Sequence, residues 1–209
     1  MPAIHLPTEL RDQIIYAMYR RADEMDWQLL SNSKKTAQYR SWVDDREVGG
    51  LMLLHGAEKD VRVWLKDVVM KEYARAQEGI GPYVRYLPER FKGPQEVVGA
   101  ALSDSWTVRP DSVAIKPNRC TATRAGSDRL VVWGHPGTFK DLFWSALTQT
   151  KGLGNEAVIV ITTRDGENID DTEKVWQKTI GLRGEFDVVH LHRRLVPNPD
   201  YVPPPSASD

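Results

Sequence analysis

The segment best suited to holding an anion is Gly134-His135-Pro136-Gly137-Thr138-Phe139-Lys140. A glycine-bearing turn that enters a helix offers backbone N–H groups and the positive end of the helix dipole, which suit phosphate. Gly134, His135, Gly137 and Lys140 are the candidate phosphate-binding residues there. The spacing of Thr138 and Asp141 also fits a helix cap, and neither the P-loop nor the three-glycine dinucleotide pattern is present. A second group, Arg164-Asp165-Gly166-Glu167-Asn168-Ile169-Asp170-Asp171, is acidic. Carboxylates of Asp165, Glu167 and Asp170 facing a phosphate would hold Mg2+ for phosphoryl chemistry. Capping equally accounts for Asp170 with Glu173, and a turn for Asp165-Gly166. Third, His190 and His192 alternate, so on a strand they share one face, where they can ligate a metal or exchange protons.

Basic residues with interleaved aromatics form the fourth group. Between residues 109 and 129, Arg109, Lys116, Arg119, Arg124 and Arg129 outnumber Asp111 and Asp128. Residues 61–66 alternate as a half-buried strand does, which puts Arg62, Trp64 and Lys66 on one face. Lys and Arg beside an exposed Trp are what a phosphate backbone and a base platform use, although a solvated strand face gives the same pattern. Charge clustering favours a nucleic-acid-binding function, provided that these residues gather into one positive groove. Two alternatives come from other classes. One is an enzyme or sensor with a phosphorylated small ligand at the Gly134–Lys140 turn. The other is a protein-interaction module that docks a partner through its proline-rich tail. The residues do not decide whether the chain is an enzyme. Cys120 lies among basic residues that can lower a thiol pKa, yet no base is assigned to it and a passive thiol is expected.

Composition bounds these readings. Among 209 residues, 41% are hydrophobic and 27% charged, which are ordinary globular values. The net charge of −1 means that any attraction for a polyanion comes from a local patch. A single cysteine excludes an intramolecular disulfide and a cysteine-rich zinc site. Charges interrupt the N-terminal segment every few residues, and no apolar run approaches the ~20 residues that span a bilayer. The expectation is a soluble, cytoplasmic protein without a membrane partner.

The elements that must position these residues follow from periodicity and punctuation. Helices are expected over residues 8–30, capped by Thr8, over 34–45, and over 67–78, ended by Gly79. Glycines and prolines across 79–96 mark the best internal boundary. Strands are expected at 61–66, 97–102, 112–116, 129–133, 157–162 and 186–192. Two further helices are expected at 138–149, with Gly152 past its end, and at 170–180, closed by Gly181. The run Ala157-Val158-Ile159-Val160-Ile161-Thr162 reads as a central strand covered on both faces. Alternating strands and helices make the sheet parallel in this half, so the Gly134 turn and the acidic loop emerge at one edge, where α/β sheets bind ligands. The fold class is α/β (or α+β), with a mixed, partly parallel sheet flanked by helices and an N-terminal helical region. Residues 1–196 form one globular domain, divisible near 79–96 into a helical part (1–78) and an α/β part (97–196). Residues 197–209, with five prolines, form an extended or disordered tail.

The order helix 67–78, strands near 97, 112 and 129, helix 138–149 and strand 157–162 is similar to the core order of restriction-endonuclease-like domains. The resemblance is one of topology and places Pro110-Asp111 at the second strand. It implies a metal-dependent nuclease site with an acidic residue two positions before a lysine. No lysine here has that neighbour, and Lys116 follows Ala114 at that offset. A variant site would use Asp104, Asp111 and Lys116.

Overall fold

A computed structural model describes residues 4–151 and 156–204. The chain forms two compact units, Met1–Arg90 with Pro197–Asp209, and Phe91–Val196. The boundary at Arg90 and Phe91 falls inside the glycine- and proline-rich segment 79–96. Among the described residues, no helix is long and apolar enough to cross a membrane.

The first unit is helical: α1 (Thr8–Glu24), α2 (Asn32–Asp44), α3 (Gly49–Met52), α4 (Glu58–Trp64) and α5 (Met70–Gln77). Pro7, not Thr8, occupies the N-cap of α1, and the helix stops short of residue 30 because Asp26 adopts a left-handed conformation. Trp27 then stacks on Trp42 of α2 at 5.0 Å between ring centroids. Residues 61–66 are helical, contrary to the strand expected there. A π turn, Leu65–Val69, links α4 to α5. Val61, Trp64, Leu65, Val69, Met70 and Tyr73 are all buried, and their spacing of three and four matches one side of a helix. Six alternating residues satisfied a strand locally; the longer window satisfies only a helix. Gly79 follows α5 at φ +71°, as expected of a residue that ends a helix.

Residues 197–204 depart from a free tail. The Asn198 side-chain amide donates to the Val84 and Leu87 carbonyls at 2.8 and 2.7 Å. Its Oδ1 accepts from Arg90 Nε at 3.0 Å. The Tyr16 hydroxyl reaches the Val202 carbonyl, and Val202 N donates to the Arg85 carbonyl. Residues 205–209 of the expected tail lie outside the described residues, as does Gly152.

The second unit begins with α6 (Pro94–Ala101), followed by β1 (Thr107–Val108), β2 (Asn118–Arg124) and β3 (Ser127–Gly134). It continues through α7 (Phe139–Thr150), β4 (Glu156–Thr163), α8 (Asp171–Arg183) and β5 (Asp187–His192). The five strands lie in chain order. β1–β2 and β2–β3 are antiparallel, whereas β3–β4 and β4–β5 are parallel. The fold is therefore α/β with a mixed sheet. Val97 and Val98 of α6 pack with Cys120, Val131, Trp133, Val158 and Val160 on one face. Phe139, Leu142 and Ala146 of α7, with Ile180 of α8, cover Val132, Ile159 and Ile161 on the other. The strand expected at 97–102 is α6, because Pro94 sits in its first turn and Gly93 precedes it at φ +101°. The strand expected at 112–116 is a 3-10 turn, Pro110–Ser112, followed by an Ala114–Arg119 bridge. β2 itself was unforeseen, since only Cys120 and Ala122 of its seven residues are buried. A helix–three strands–helix–strand order does occur, but its first helix is α6.

Gly181 continues α8 instead of closing it. A Cβ there would lie 2.3 Å from Val188 Cγ2 and 3.0 Å from the Phe186 carbonyl oxygen, so the glycine permits close approach of α8 to β5. Gly181→Ala should destabilise the protein by about 1–3 kcal/mol, despite alanine's better helix propensity. Urea denaturation reads this directly, and an unchanged or raised midpoint would refute the close-approach account.

Candidate functional site at the carboxyl edge of the parallel strands

The parallel register aligns Thr163 with His192 and Gly134 with Ile161, so the segments after β3, β4 and β5 leave the sheet at one edge. The expected meeting of the Gly134 turn and the acidic loop takes place. His135 Nε2 lies 3.7 Å from Glu167 Oε1, and Arg164 Nε lies 3.5 Å from the same oxygen. Glu167 Oε2 accepts from the Arg164 backbone N–H at 2.9 Å, and Gly166 turns the loop at φ +83°. Beside this pair, His192 Nε2 lies 2.9 Å and Arg194 Nε 3.6 Å from Asp165 Oδ1. The remaining His192 nitrogen is 3.3 Å from the Thr163 hydroxyl. His135 Nδ1 accepts from Gly137 N, so its other nitrogen carries the hydrogen that faces Glu167.

Two atoms in this cluster are held by ion-pair contacts alone or by none. Arg164 Nη2 and Glu167 Oε1 are buried, and neither completes a hydrogen bond. Their side chains are only 23% and 18% exposed. Buried polar atoms normally find a hydrogen-bond partner, so these two are exceptions inside an otherwise paired cluster.

The turn before α7 does not supply these contacts. Gly137 N donates to the His135 ring, Thr138 N to the His135 carbonyl and Phe139 N to the Pro136 carbonyl. The backbone cradle expected at Gly134 and Gly137 thus serves its own turn. Thr138 makes no side-chain capping bond, and Lys140 is exposed on the first turn of α7. Asp170 is committed as the α8 cap, accepting from Thr172 N at 2.8 Å. Asp165 and Glu167 face histidine and arginine. Among the described residues, no three His, Cys, Asp or Glu side chains form a metal-holding group.

His190 and His192 project from the same face of β5 but serve different partners. Gln177, fully buried on α8, gives its amide N–H to Glu173 Oε1 at 2.9 Å, which turns its oxygen toward His190 Nε2 at 2.8 Å. His190 thereby ties β5 to α8. On the opposite face, Arg193 is buried, pairs with Glu96 Oε2 at 3.1 Å and covers the Phe91 ring at 4.3 Å. Arg194, Thr163 and Gln177 did not stand out in the sequence, and Arg164 did so only as the first residue of the acidic loop. The available signal was position, since Thr163 and Arg164 end the most apolar strand and Arg194 follows the last one.

Within neither unit do the basic residues gather as expected. Trp64 is buried, so it offers no stacking platform. Arg62 and Lys66 are exposed four residues apart on the helical segment, with Lys66 4.0 Å from Asp67. In the second unit, Arg124 and Arg129 lie over Trp106 on the α6 side, and Arg129 pairs with Glu156. Strand alternation puts Arg119 on the other side of the sheet. Arg109 is paired with Asp111 and Asp128. Lys116 precedes β2, whereas Asp104 precedes Thr107, which pairs with Thr123 at the far end of that strand. About 20 Å of strand therefore separates them, and Asp104, Asp111 and Lys116 do not assemble into a nuclease site. Cys120 is buried and its thiol pKa is pushed up to about 12, so its basic sequence neighbours do not activate it.

Comparison with family models, curated proteins and solved structures finds no match to the chain.

Burial, then Lys178 and Lys174, lower the pKa of His190, opposed by Glu173. The unfolded chain therefore takes up this proton more readily than the folded one. The stabilisation is complete above the unfolded value of about 6.5 and is lost as pH falls from there through the lowered folded value. Wild type should lose more denaturation midpoint between neutral and mildly acidic pH than His190→Asn does. Parallel slopes for the two proteins would remove His190 as the cause.

Proposed function

We propose that the second unit binds a small phosphorylated molecule at the carboxyl edge of β3, β4 and β5. The observation that carries this reading is the convergence of Arg164, Arg194, His135 and His192 on this edge, with Arg164 Nη2 and Glu167 Oε1 completing no hydrogen bond. An anionic oxygen satisfies the guanidinium, and a hydroxyl or amine hydrogen satisfies the carboxylate. A sugar phosphate or nucleotide carries both groups. Arg194 adds a second cation at the rim. Mg2+ arriving with the phosphate would offset repulsion from Asp165 and Glu167, and such ions are commonly held by one or two carboxylates plus substrate phosphate. The His135–Glu167 and His192–Asp165 pairs suit proton transfer at a bound ligand.

A thermal-shift series with sugar phosphates and nucleotides tests the reading, with and without Mg2+ and against the unphosphorylated parent compounds. Ligand at a hundredfold excess over its Kd stabilises by about 2.7 kcal/mol. Phosphorylated members should raise the melting temperature, and Arg164→Met should abolish the shift while Lys116→Ala retains it. Absence of any phosphate-dependent shift, together with nucleic-acid binding that weakens steeply with salt, would transfer the function to a polyanion.

A further inference from the structure

A relay of three side chains runs through the carboxyl edge of the parallel strands. The Asp165 carboxylate can only accept hydrogen bonds, so His192 Nε2, 2.9 Å away, carries the hydrogen between them. In the neutral ring the lone pair is then on Nδ1, and the Thr163 hydroxyl, 3.3 Å away, donates to it. Strand register fixes this contact, because Thr163 and His192 lie opposite each other in the β4–β5 pair. Arg194 Nε, 3.6 Å from the same Asp165 oxygen, also holds the carboxylate. Thr163 is buried and the His192 side chain is 43% exposed, so the relay runs from the strand end to solvent. A hydroxyl on a base that a third group orients is the arrangement of an activated nucleophile. It stands next in the chain to Arg164, the buried cation of the same edge.

The histidines also select the substrate. Phosphoryl transfer proceeds in line, with the attacking and leaving oxygens on opposite sides of phosphorus. His192 sits beside the attacking oxygen and does not reach the leaving one. His135 does not protonate it either, because its Nδ1 accepts from Gly137 N and the neutral ring has no proton to lose. The leaving group must therefore depart as an anion. The diphosphate end of a phosphoanhydride does so, whereas the alkoxide of a sugar phosphate does not.

Building on the phosphorylated-ligand reading of this edge, we propose that the second unit hydrolyses phosphoanhydrides, such as nucleoside triphosphates, with Thr163 as nucleophile and His192 as its base. The Thr163 oxygen bonds to the terminal phosphorus while its proton passes to His192 Nδ1. The anhydride P–O bond breaks, and its electron pair leaves on the nucleoside diphosphate. Water then attacks the phosphothreonine from the far side, the Thr163 oxygen recovers its proton from His192, and phosphate departs with the hydrogens of the water.

The full chain incubated with ATP and Mg2+ should release phosphate, and peptide mass spectrometry after an acid quench should find phosphothreonine at Thr163. Thr163→Val, which matches the side chain in shape, should abolish both, and Thr163→Ser should retain them. His192→Gln should slow phosphate release by about a hundredfold or more. ATP should still raise the melting temperature of Thr163→Val, which separates chemistry from binding. Stabilisation by phosphorylated compounds without phosphate release from ATP, or release indifferent to Thr163→Val, overturns the nucleophile and leaves the binding reading standing. No stabilisation by any phosphorylated compound overturns both.

Discussion

Five consecutive residues of β4, from Ala157 to Ile161, are buried, and side chains on a strand alternate between faces. Both sides of this strand must therefore be covered by something apolar. α6 supplies one cover and α7 with α8 the other. The parallel neighbours of β4 follow, because each return to the same edge requires a crossover long enough for a helix. Residues as distant as Val97 and Phe186 hold their places through this strand.

The same requirement creates the polar edge. Strands that run in one direction release their following loops together, so His135, Arg164, Asp165, Glu167, His192 and Arg194 meet although nearly sixty residues separate the first from the last. The apolar interior ends at Thr163, and the chain turns polar where backbone and side chains regain water. Charges here are mutually engaged but incompletely satisfied. The Gly134 turn, by contrast, spends its donors on itself, so recognition shifts from backbone N–H groups to guanidinium and imidazole side chains.

How far the sequence revealed this arrangement depended on window length and on burial of both faces. The run 157–162 was unambiguous, and the Gly134–Gly137 turn separated the strand before it from α7. Residues 61–66 misled because six alternating positions fit either period until Val69, Met70 and Tyr73 are included. Residues 97–102 are β-branched enough to read as a strand, but the Gly93-Pro94 start decides for a helix. β2 was hidden because its threonines, arginines and asparagine look like loop residues; its neighbours hold it, not its own hydrophobicity. The convergence of the His135 turn with the acidic loop was legible from parallel topology. The roles of Gln177 and Arg193 were not, since each depends on a partner from another element. Asp170 read correctly as a cap because that interaction is local.

Asn198 also constrains how the chain comes together over time. The residues that it holds, Val84, Leu87 and Arg90, precede the whole second unit in the sequence. On a ribosome, the continuous stretch Phe91–Val196 emerges intact before that clasp can close. The contacts of Asn198 with Val84, Leu87 and Arg90 can close only after Phe91–Val196 has been synthesised.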